Sequence, residues 1–159
     1  MGVSGSGKTT IGSALAKRLD WPFLDADDLH PLANVAKMRA GIPLTDADRE
    51  PWLQEVVAWI AERRAAGEPG VVACSALKRA YRDRLRAADP GLRVVFLDGP
   101  REQLMQRLAH RIGHFFPPSL LDAQLADLEP PGPHEHPIIV PIGLTPDDAV
   151  ESILVGLGG

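Results

Sequence analysis

The sequence has few of the features expected of a membrane, secreted or nucleic-acid-binding protein. Its single cysteine, Cys74, excludes an intramolecular disulfide and a metal site made only of cysteines. No apolar run approaches the roughly 18 residues of a membrane helix, and no basic segment with a following apolar stretch indicates a secretory signal. Lys and Arg number 17 against 21 Asp and Glu, and the net charge of −4 argues against binding long nucleic acid. We therefore expect a single cytoplasmic domain spanning 1–159.

Short apolar runs alternate with amphipathic stretches along the chain. Strands are predicted at 22–25, 71–74, 94–97 and 138–142. Helices are predicted at 7–19, 31–39, 46–66, 77–88, 101–111, 119–128 and 146–157, with a capping box at Ser119 and Asp122. This alternation is typical of an α/β fold in which helices cover both faces of a parallel sheet. Because such sheets bind ligands at the carboxyl ends of their strands, the loops after Leu24, Cys74 and Leu97 are the expected site of chemistry.

A phosphate-binding loop opens the sequence. The run Gly2-Val3-Ser4-Gly5-Ser6-Gly7-Lys8-Thr9 matches the P-loop pattern at every fixed position, and an amphipathic helix follows it. The backbone N–H groups of such a loop and the positive end of its helix face the phosphates. Lys8 is expected to reach the β and γ phosphates, and Thr9 to bind Mg²⁺ through its hydroxyl. We assign Gly2 to Thr9, together with Thr10, to ATP binding.

The segment before the P-loop is unusually short. A P-loop ordinarily follows a buried strand, and here only Met1 precedes Gly2. We expect the first strand of the sheet to be missing, and a strand's usual length puts the missing segment at about eight residues.

Two carboxylates, Asp25 and Asp27, stand two residues apart at the end of a predicted strand. If the extended conformation continues, both point to the same face of the sheet. One carboxylate, which we take to be Asp25, would hold Mg²⁺, and Asp27 would accept the proton of an attacking hydroxyl. The reverse assignment stays open. Asp98, after the apolar run 94–97, is the second choice for the metal.

Several blocks of residues resemble the gluconokinase family of small P-loop kinases. The first runs from Leu24 through Asp25, Ala26, Asp27, Asp28, Leu29, His30 and Pro31, and continues with Asn34, Lys37, Met38, Gly41, Pro43, Leu44, Asp46, Asp48, Arg49, Pro51, Trp52 and Leu53. The second comprises Cys74, Ser75, Ala76, Leu77, Lys78, Tyr81, Arg82, Asp83, Leu85 and Arg86. The third comprises Gly113, His114, Phe115, Phe116, Leu120, Leu121, Asp122, Gln124, Leu128, Glu129 and Pro130. These blocks occur in the family's order over almost the whole chain.

The resemblance implies a P-loop kinase fold like that of nucleoside-monophosphate and shikimate kinases, and ATP-dependent phosphorylation of D-gluconate to 6-phosphogluconate. Gluconate is a carboxylate with a chain of hydroxyls, so its pocket needs a cation at one end and polar groups along the rest. The expected cations are Arg49, Lys78 and Arg82, and the expected polar contacts, besides Asp27, are His30, Asn34, Ser75 and Gln124. The acceptor-binding helical segment is expected at 30–66.

The resemblance also implies a lid at about 107–118 that closes over ATP and brings Arg107 and Arg111 to the phosphates. It implies a possible homodimer. Two alternatives stay open: another small-acid kinase of the same fold, such as a shikimate kinase, and a nucleotide-binding module without transfer activity. We interpret His134-Glu135-His136 as a solvent-exposed loop and Cys74 as an inert core residue.

Overall fold

A computed structural model describes residues 1–110 and 117–158 of the chain. Its α-helices are α1 (Lys8–Leu19), α2 (Leu32–Arg39), α3 (Asp46–Ala66), α4 (Arg79–Ala88), α5 (Arg101–Ala109), α6 (Pro118–Asp127) and α7 (Pro146–Leu157). Its strands are β1 (Phe23–Asp25), β2 (Val71–Ala73), β3 (Val95–Asp98) and β4 (Ile138–Pro141). Short 3₁₀ turns occupy Ala26–Leu29 and Pro133–Glu135. The α/β alternation predicted from the sequence is confirmed. Within the described ranges, no helix is long and apolar enough to cross a bilayer.

The strands form two parallel pairs. β1 pairs with β2, with Leu24 opposite Val72, and β3 pairs with β4, with Phe96 opposite Ile139. Parallel pairs of this kind need covered faces, and helices supply the cover here. The helices α1, α5, α6 and α7 pack their apolar residues into one core cluster, whereas α3 and α4 pack into a second.

Met1 and Gly2 lie between the two strand pairs, where Met1 bonds to β3 and Gly2 bonds to the residues that follow β2. Its amino group donates to the carbonyl of Val95, and its carbonyl accepts from the N–H of Leu97 at 3.0 Å. The N–H of Gly2 donates to the carbonyl of Ser75 beyond β2 at 3.3 Å. No strand in the described part of the chain continues this line between β2 and β3. Within the described ranges, the position at which the sequence predicts a strand ahead of the P-loop is therefore occupied by Met1 and Gly2.

An apolar cavity of about 370 Å³ extends from Met1 along the gap between β2 and β3. Side chains of the two strands and of the helices that cover them line it, among them Ile11, Leu15, Val72, Val95, Ile153 and Leu157. We call this space the inter-sheet slot. Its wall is mainly apolar, and it shares Lys8 with the smaller polar cavity described below.

Three local interpretations of the sequence are wrong. The helix α6 begins at Pro118, not after a capping box at Ser119, because the preceding Pro117 is its N-cap and Asp122 pairs instead with Arg101 at 2.6 Å. The tripeptide 134–136 is not a solvent loop throughout, because Glu135 is 4% exposed. The extended conformation does not continue past Asp25, because the 3₁₀ turn begins at Ala26.

Candidate active site

The P-loop curls around the N-terminus of α1, as expected from glycines that can adopt positive φ values. Gly5 and Gly7 have φ of +83° and +95°, a region that favours glycine, and Gly7 is the N-cap of α1 without a side-chain cap bond. The first N–H groups of α1 therefore point into the loop without a capping side chain. Lys8 folds back across the loop, and its Nζ donates to the carbonyl of Val3 at 3.1 Å. The arrangement has the geometry of the phosphate-binding loop that the sequence predicts, with the Lys8 amine over it.

The loop's two serines face different surroundings. Ser6 is fully buried, and its hydroxyl has no hydrogen-bond partner within the described ranges. Ser4 is bound from across the molecule by Gln124: the N–H of Ser4 donates to Oε1 at 2.7 Å, and Nε2 donates to Oγ of Ser4 at 3.0 Å. Thr10 is exposed in the first turn of α1.

Thr9 and Asp25 meet at the edge of the loop. The Thr9 hydroxyl donates to Oδ2 of Asp25 at 2.5 Å, while Oδ1 of Asp25 accepts from the N–H of Asp27 at 3.0 Å. Hydroxyl and carboxylate oxygens are ligands that Mg²⁺ prefers, and it is usually bound by one or two carboxylates plus substrate phosphates. This pair fits such an ion, although no group of three or more His, Cys, Asp or Glu among the described residues forms a metal site without substrate. Asp25, rather than Asp98, makes the contact to Thr9.

Beside the P-loop lies a small polar cavity of about 70 Å³, which we call the acceptor cavity. Predicted site residues on its wall are Ser4, Lys8, Asp27, His30, Arg49, Ser75 and Gln124. Apolar residues that the sequence reasoning did not assign to the site complete the wall: Met38, Pro43, Leu44, Trp52, Leu77, Leu120 and Ala123. The structure thus brings the expected base, the phosphate-binding lysine and most of the expected acceptor contacts to one place.

His30 enters the cavity held against Trp52. The two rings stack at 4.8 Å with an interplanar angle of 9°, and Nε1 of Trp52 donates to the carbonyl of Ala26 at 2.6 Å. Burial lowers the pKa of His30 below its usual value, although the nearby carboxylate of Asp27 opposes the shift. The imidazole is therefore neutral at neutral pH and serves as a hydrogen-bonding group, not as a cation.

Asn34, a predicted acceptor contact, does not line the cavity. It is 4% exposed, and its Nδ2 donates to the carbonyl of Asp48 at 2.7 Å and lies 3.4 Å from Nδ1 of His30. A substrate contact by Asn34 is not supported, because these partners already take its amide. Its position indicates that it supports His30 from behind.

The three predicted cations have different environments. Arg49 reaches the cavity, where its guanidinium donates to Oδ2 of Asp127 at 2.9 Å and to the hydroxyl of Tyr81 at 3.3 Å. Lys78 lies behind it, bound to Asp46 at 2.9 Å, and the hydrogen bond to Asp46 raises the pKa of Lys78.

Arg82 is the exception, and the expectation that it binds the acceptor needs correction. Its side chain is 2% exposed and forms two hydrogen bonds to Glu135, at 2.7 and 3.0 Å. It also donates to the carbonyls of Ala76 and Leu77, at 2.9 and 3.1 Å. The guanidinium holds the turn between β2 and α4, because Ala76 has a left-handed φ of +44° that the surroundings must stabilise.

Arg107 lies at the other end of the cradle. Its guanidinium donates to the carbonyl of Ile142, and its Nη1 would be 3.5 Å from a Cβ placed on Gly7. This places a cation beside the N-terminus of α1. The expected lid residue Arg111 and the segment 112–116, together half of the lid expected at 107–118, lie outside the described residues.

Comparisons with known proteins agree with this arrangement. The Shikimate kinase family matches residues 4–125. A gluconokinase of Gluconobacter oxydans is 50% identical over 154 residues, which cover 97% of this chain and 86% of the relative. A gluconokinase structure from Sinorhizobium meliloti is 50% identical with a TM-score of 0.88, covering 99% of this chain and 89% of that one. A sugar kinase structure from Janibacter is 46% identical with a TM-score of 0.93, covering 99% and 91%. The chain therefore carries a Shikimate kinase-family domain and belongs to the gluconokinase family.

Proposed function

We propose that this protein transfers the γ-phosphoryl group of ATP to a hydroxyl of D-gluconate, giving 6-phosphogluconate and ADP. The observation that carries the proposal is the acceptor cavity, in which Lys8 of the P-loop, the carboxylate of Asp27 and the guanidinium of Arg49 share one wall. A phosphoryl donor site, a proton acceptor and a cation for an anionic substrate are thereby adjacent. The high identity to gluconokinases over most of the chain supports the choice of acceptor.

The P-loop binds the phosphates of ATP. Backbone N–H groups at the N-terminus of α1 surround them, and Lys8 neutralises charge on the transferred group. Thr9 and Asp25 are the residues that would hold Mg²⁺, which neutralises phosphate charge when bound. Arg107, beside Gly7, adds positive charge at the same end of the site.

Asp27 accepts the proton of the attacking hydroxyl. As the hydroxyl oxygen of gluconate bonds to the γ phosphorus, the bond from phosphorus to the bridging oxygen of ADP breaks, and the hydroxyl proton passes to the Asp27 carboxylate. Asp27 is suited to this because its side chain is exposed on the cavity wall, whereas Asp25 is engaged by Thr9.

Arg49 binds the carboxylate of gluconate. It is the one predicted acceptor cation on the cavity wall in the described part of the chain, and Lys78 adds positive charge from behind it. Neutral His30 and Ser75 are left for the hydroxyls, whereas the amide of Gln124 on the same wall is engaged by Ser4. Uncharged sugars lack the partner that Arg49 needs, so we expect them to be poor substrates.

The test is a coupled assay of ADP release with Mg²⁺ and ATP and, as acceptor, D-gluconate, shikimate, D-glucose or none. Gluconate is expected to give the highest kcat/KM by a wide margin. Preferred turnover of shikimate would support the alternative small-acid kinase, and ADP release independent of any acceptor would contradict a phosphotransferase. The family resemblance also supports a homodimer, which sedimentation equilibrium tests directly.

A further inference from the structure

One face of α6 contacts both halves of the site. Gln124 and Asp127 are three residues apart on this helix, a spacing that puts their side chains on the same face. Gln124 reaches the P-loop, whereas Asp127 reaches the cations of the acceptor side. No other helix in the described ranges makes side-chain hydrogen bonds to the P-loop backbone and to Arg49 together.

Gln124 binds a backbone N–H of the P-loop that could otherwise donate to a phosphate. The amide of Gln124 forms reciprocal bonds to Ser4, accepting from its N–H at 2.7 Å and donating to its hydroxyl at 3.0 Å. The Ser4 N–H is therefore engaged by a side chain of the protein. Nucleotide binding must either leave this bond in place or break it.

Asp127 holds Arg49 as a substrate carboxylate would. Its Oδ2 accepts from Arg49 at 2.9 Å, and its Oδ1 lies 3.9 Å from Nζ of Lys78. The side chain of Arg49 is only 12% exposed, so its guanidinium has little room for a second carboxylate. An anionic acceptor that binds Arg49 has to displace Asp127, because two carboxylates in the same place repel each other.

We propose that α6 couples the two substrates: an acceptor carboxylate that displaces Asp127 from Arg49 tilts α6, and Gln124 then releases the Ser4 N–H for the phosphates of ATP. The inference rests on the proposed function. A tilt of about 1 Å suffices, because a hydrogen bond of 2.7–3.0 Å is lost once its atoms are more than about 3.5 Å apart. Leu121, fully buried in the core, keeps the helix attached during the movement. Gln124 and Asp127 are in this sense positioning residues.

Thermodynamic linkage makes the proposal measurable. If gluconate raises the affinity for nucleotide by some factor, nucleotide raises the affinity for gluconate by the same factor. The experiment is calorimetric titration of Mg²⁺ and the non-hydrolysable ATP analogue AMPPNP into the protein, without and with saturating D-gluconate. For the wild type we expect gluconate to lower the Kd for AMPPNP by about 5-fold or more.

Variants separate coupling from a merely structural role. Gln124→Ala is expected to bind AMPPNP more tightly than wild type when gluconate is absent, and to show a gluconate effect close to 1-fold. Asp127→Asn is expected to bind gluconate more tightly and to show a reduced effect, and its partly exposed position makes it the variant to rely on if Gln124→Ala does not fold. Asp122→Asn is the matched control on the same helix, since Asp122 is exposed and, among the residues the structure describes, its carboxylate pairs with Arg101 and not with the P-loop or Arg49. It should retain the wild-type factor.

The outcomes distinguish the two proposals. A wild type that phosphorylates gluconate but binds AMPPNP equally well with and without it would overturn the coupling and leave the proposed function intact. Weaker AMPPNP binding by Gln124→Ala, with the gluconate effect unchanged, would also overturn the coupling. A wild type that neither binds nor phosphorylates gluconate contradicts the proposed function itself.

Discussion

The hydroxyl of Thr9 donates to the carboxylate of Asp25 at 2.5 Å, although 16 residues separate the two in the chain. The contact joins the first turn of α1 to the end of β1, the point at which the extended chain gives way to a 3₁₀ turn. It fixes Asp25 toward the P-loop and leaves Asp27 to face the acceptor cavity. The two carboxylates therefore have different partners, and their variants should fail in different ways.

Replacing Lys8 by Ala should lower kcat by about 100-fold or more, because a preorganised charge on the transferred phosphoryl group is lost. The fold should be retained, since the Lys8 amine bonds to the carbonyl of Val3 at the surface of the loop, outside the hydrophobic core. Steady-state kinetics and thermal melting check the two parts. Turnover close to wild type would contradict the P-loop assignment.

Asp27→Asn should lower kcat by about 100- to 10,000-fold with little change in the KM for ATP, because an amide cannot take up the proton of the acceptor hydroxyl. Asp25→Asn should instead raise the Mg²⁺ concentration needed for half-maximal activity, because Asp25 is the carboxylate next to Thr9. Magnesium titrations of both variants test the assignment. The opposite result would mean that the two roles are reversed.

Arg49→Met should raise the KM for gluconate while the KM for ATP changes little. Loss of a charged hydrogen bond costs about 1–3 kcal/mol, which corresponds to about 5- to 150-fold in affinity. The preference for gluconate over uncharged polyols should narrow by a similar factor. Arg84→Met is a suitable control, because Arg84 forms an exposed ion pair with Glu50 and does not line the cavity. If both variants behave alike, Arg49 does not bind the acceptor.

Arg82→Met should destabilise the protein without selectively changing the KM for gluconate. Removing the guanidinium leaves the Glu135 carboxylate buried without its partner, which costs about 3–5 kcal/mol. Denaturant unfolding measures this loss. A stable variant with a raised KM for gluconate would instead indicate that Arg82 binds the acceptor.

The stability of the 159-residue chain should fall on mild acidification because the amino group of Met1 is buried. Burial lowers its pKa from 8.0 to about 5, so in this interval the unfolded chain takes up a proton that the folded chain does not. The contribution is complete above pH 8 and declines by about 1.4 kcal/mol per pH unit down to about pH 5.

Denaturant unfolding at pH 8, 7 and 6 measures this slope, and acetylation of the amino group is the control, since an amide does not titrate. The lowered pKa of His30 adds a separate loss below its usual range, which acetylation leaves in place. Equal pH dependence in the acetylated and unmodified chains would contradict the role of Met1.

Local features of the site could be predicted from the sequence, whereas distant pairings could not. The P-loop and the acidic pair are short motifs whose geometry depends on neighbouring residues, and the structure places Lys8, Thr9, Asp25 and Asp27 around one site. The N-cap of α3 is also a local feature, because the Thr45 side chain accepts from the N–H of Asp48 three residues on, in a capping box.

Whether a basic residue reaches the cavity depends on acidic partners that lie far from it in the sequence. Arg82 pairs with Glu135 53 residues away, and Arg49 pairs with Asp127 78 residues away, so neither pairing follows from spacing. Both arginines lie in family-like blocks and look equivalent as candidate cations. Only tertiary packing buries the first and leaves the second on the cavity wall.

The inter-sheet slot also affects which strand-edge contacts can form between molecules in solution. A sheet edge that faces solvent is a template for edge-to-edge aggregation. The edges of β2 and β3 that flank the slot instead face each other, with Met1 already bonded at one end and α1 and α7 covering the faces. The backbone groups of β2 and β3 along the slot are therefore turned away from the molecular surface. The architecture keeps its incompletely paired strands out of edge-to-edge contact with other molecules.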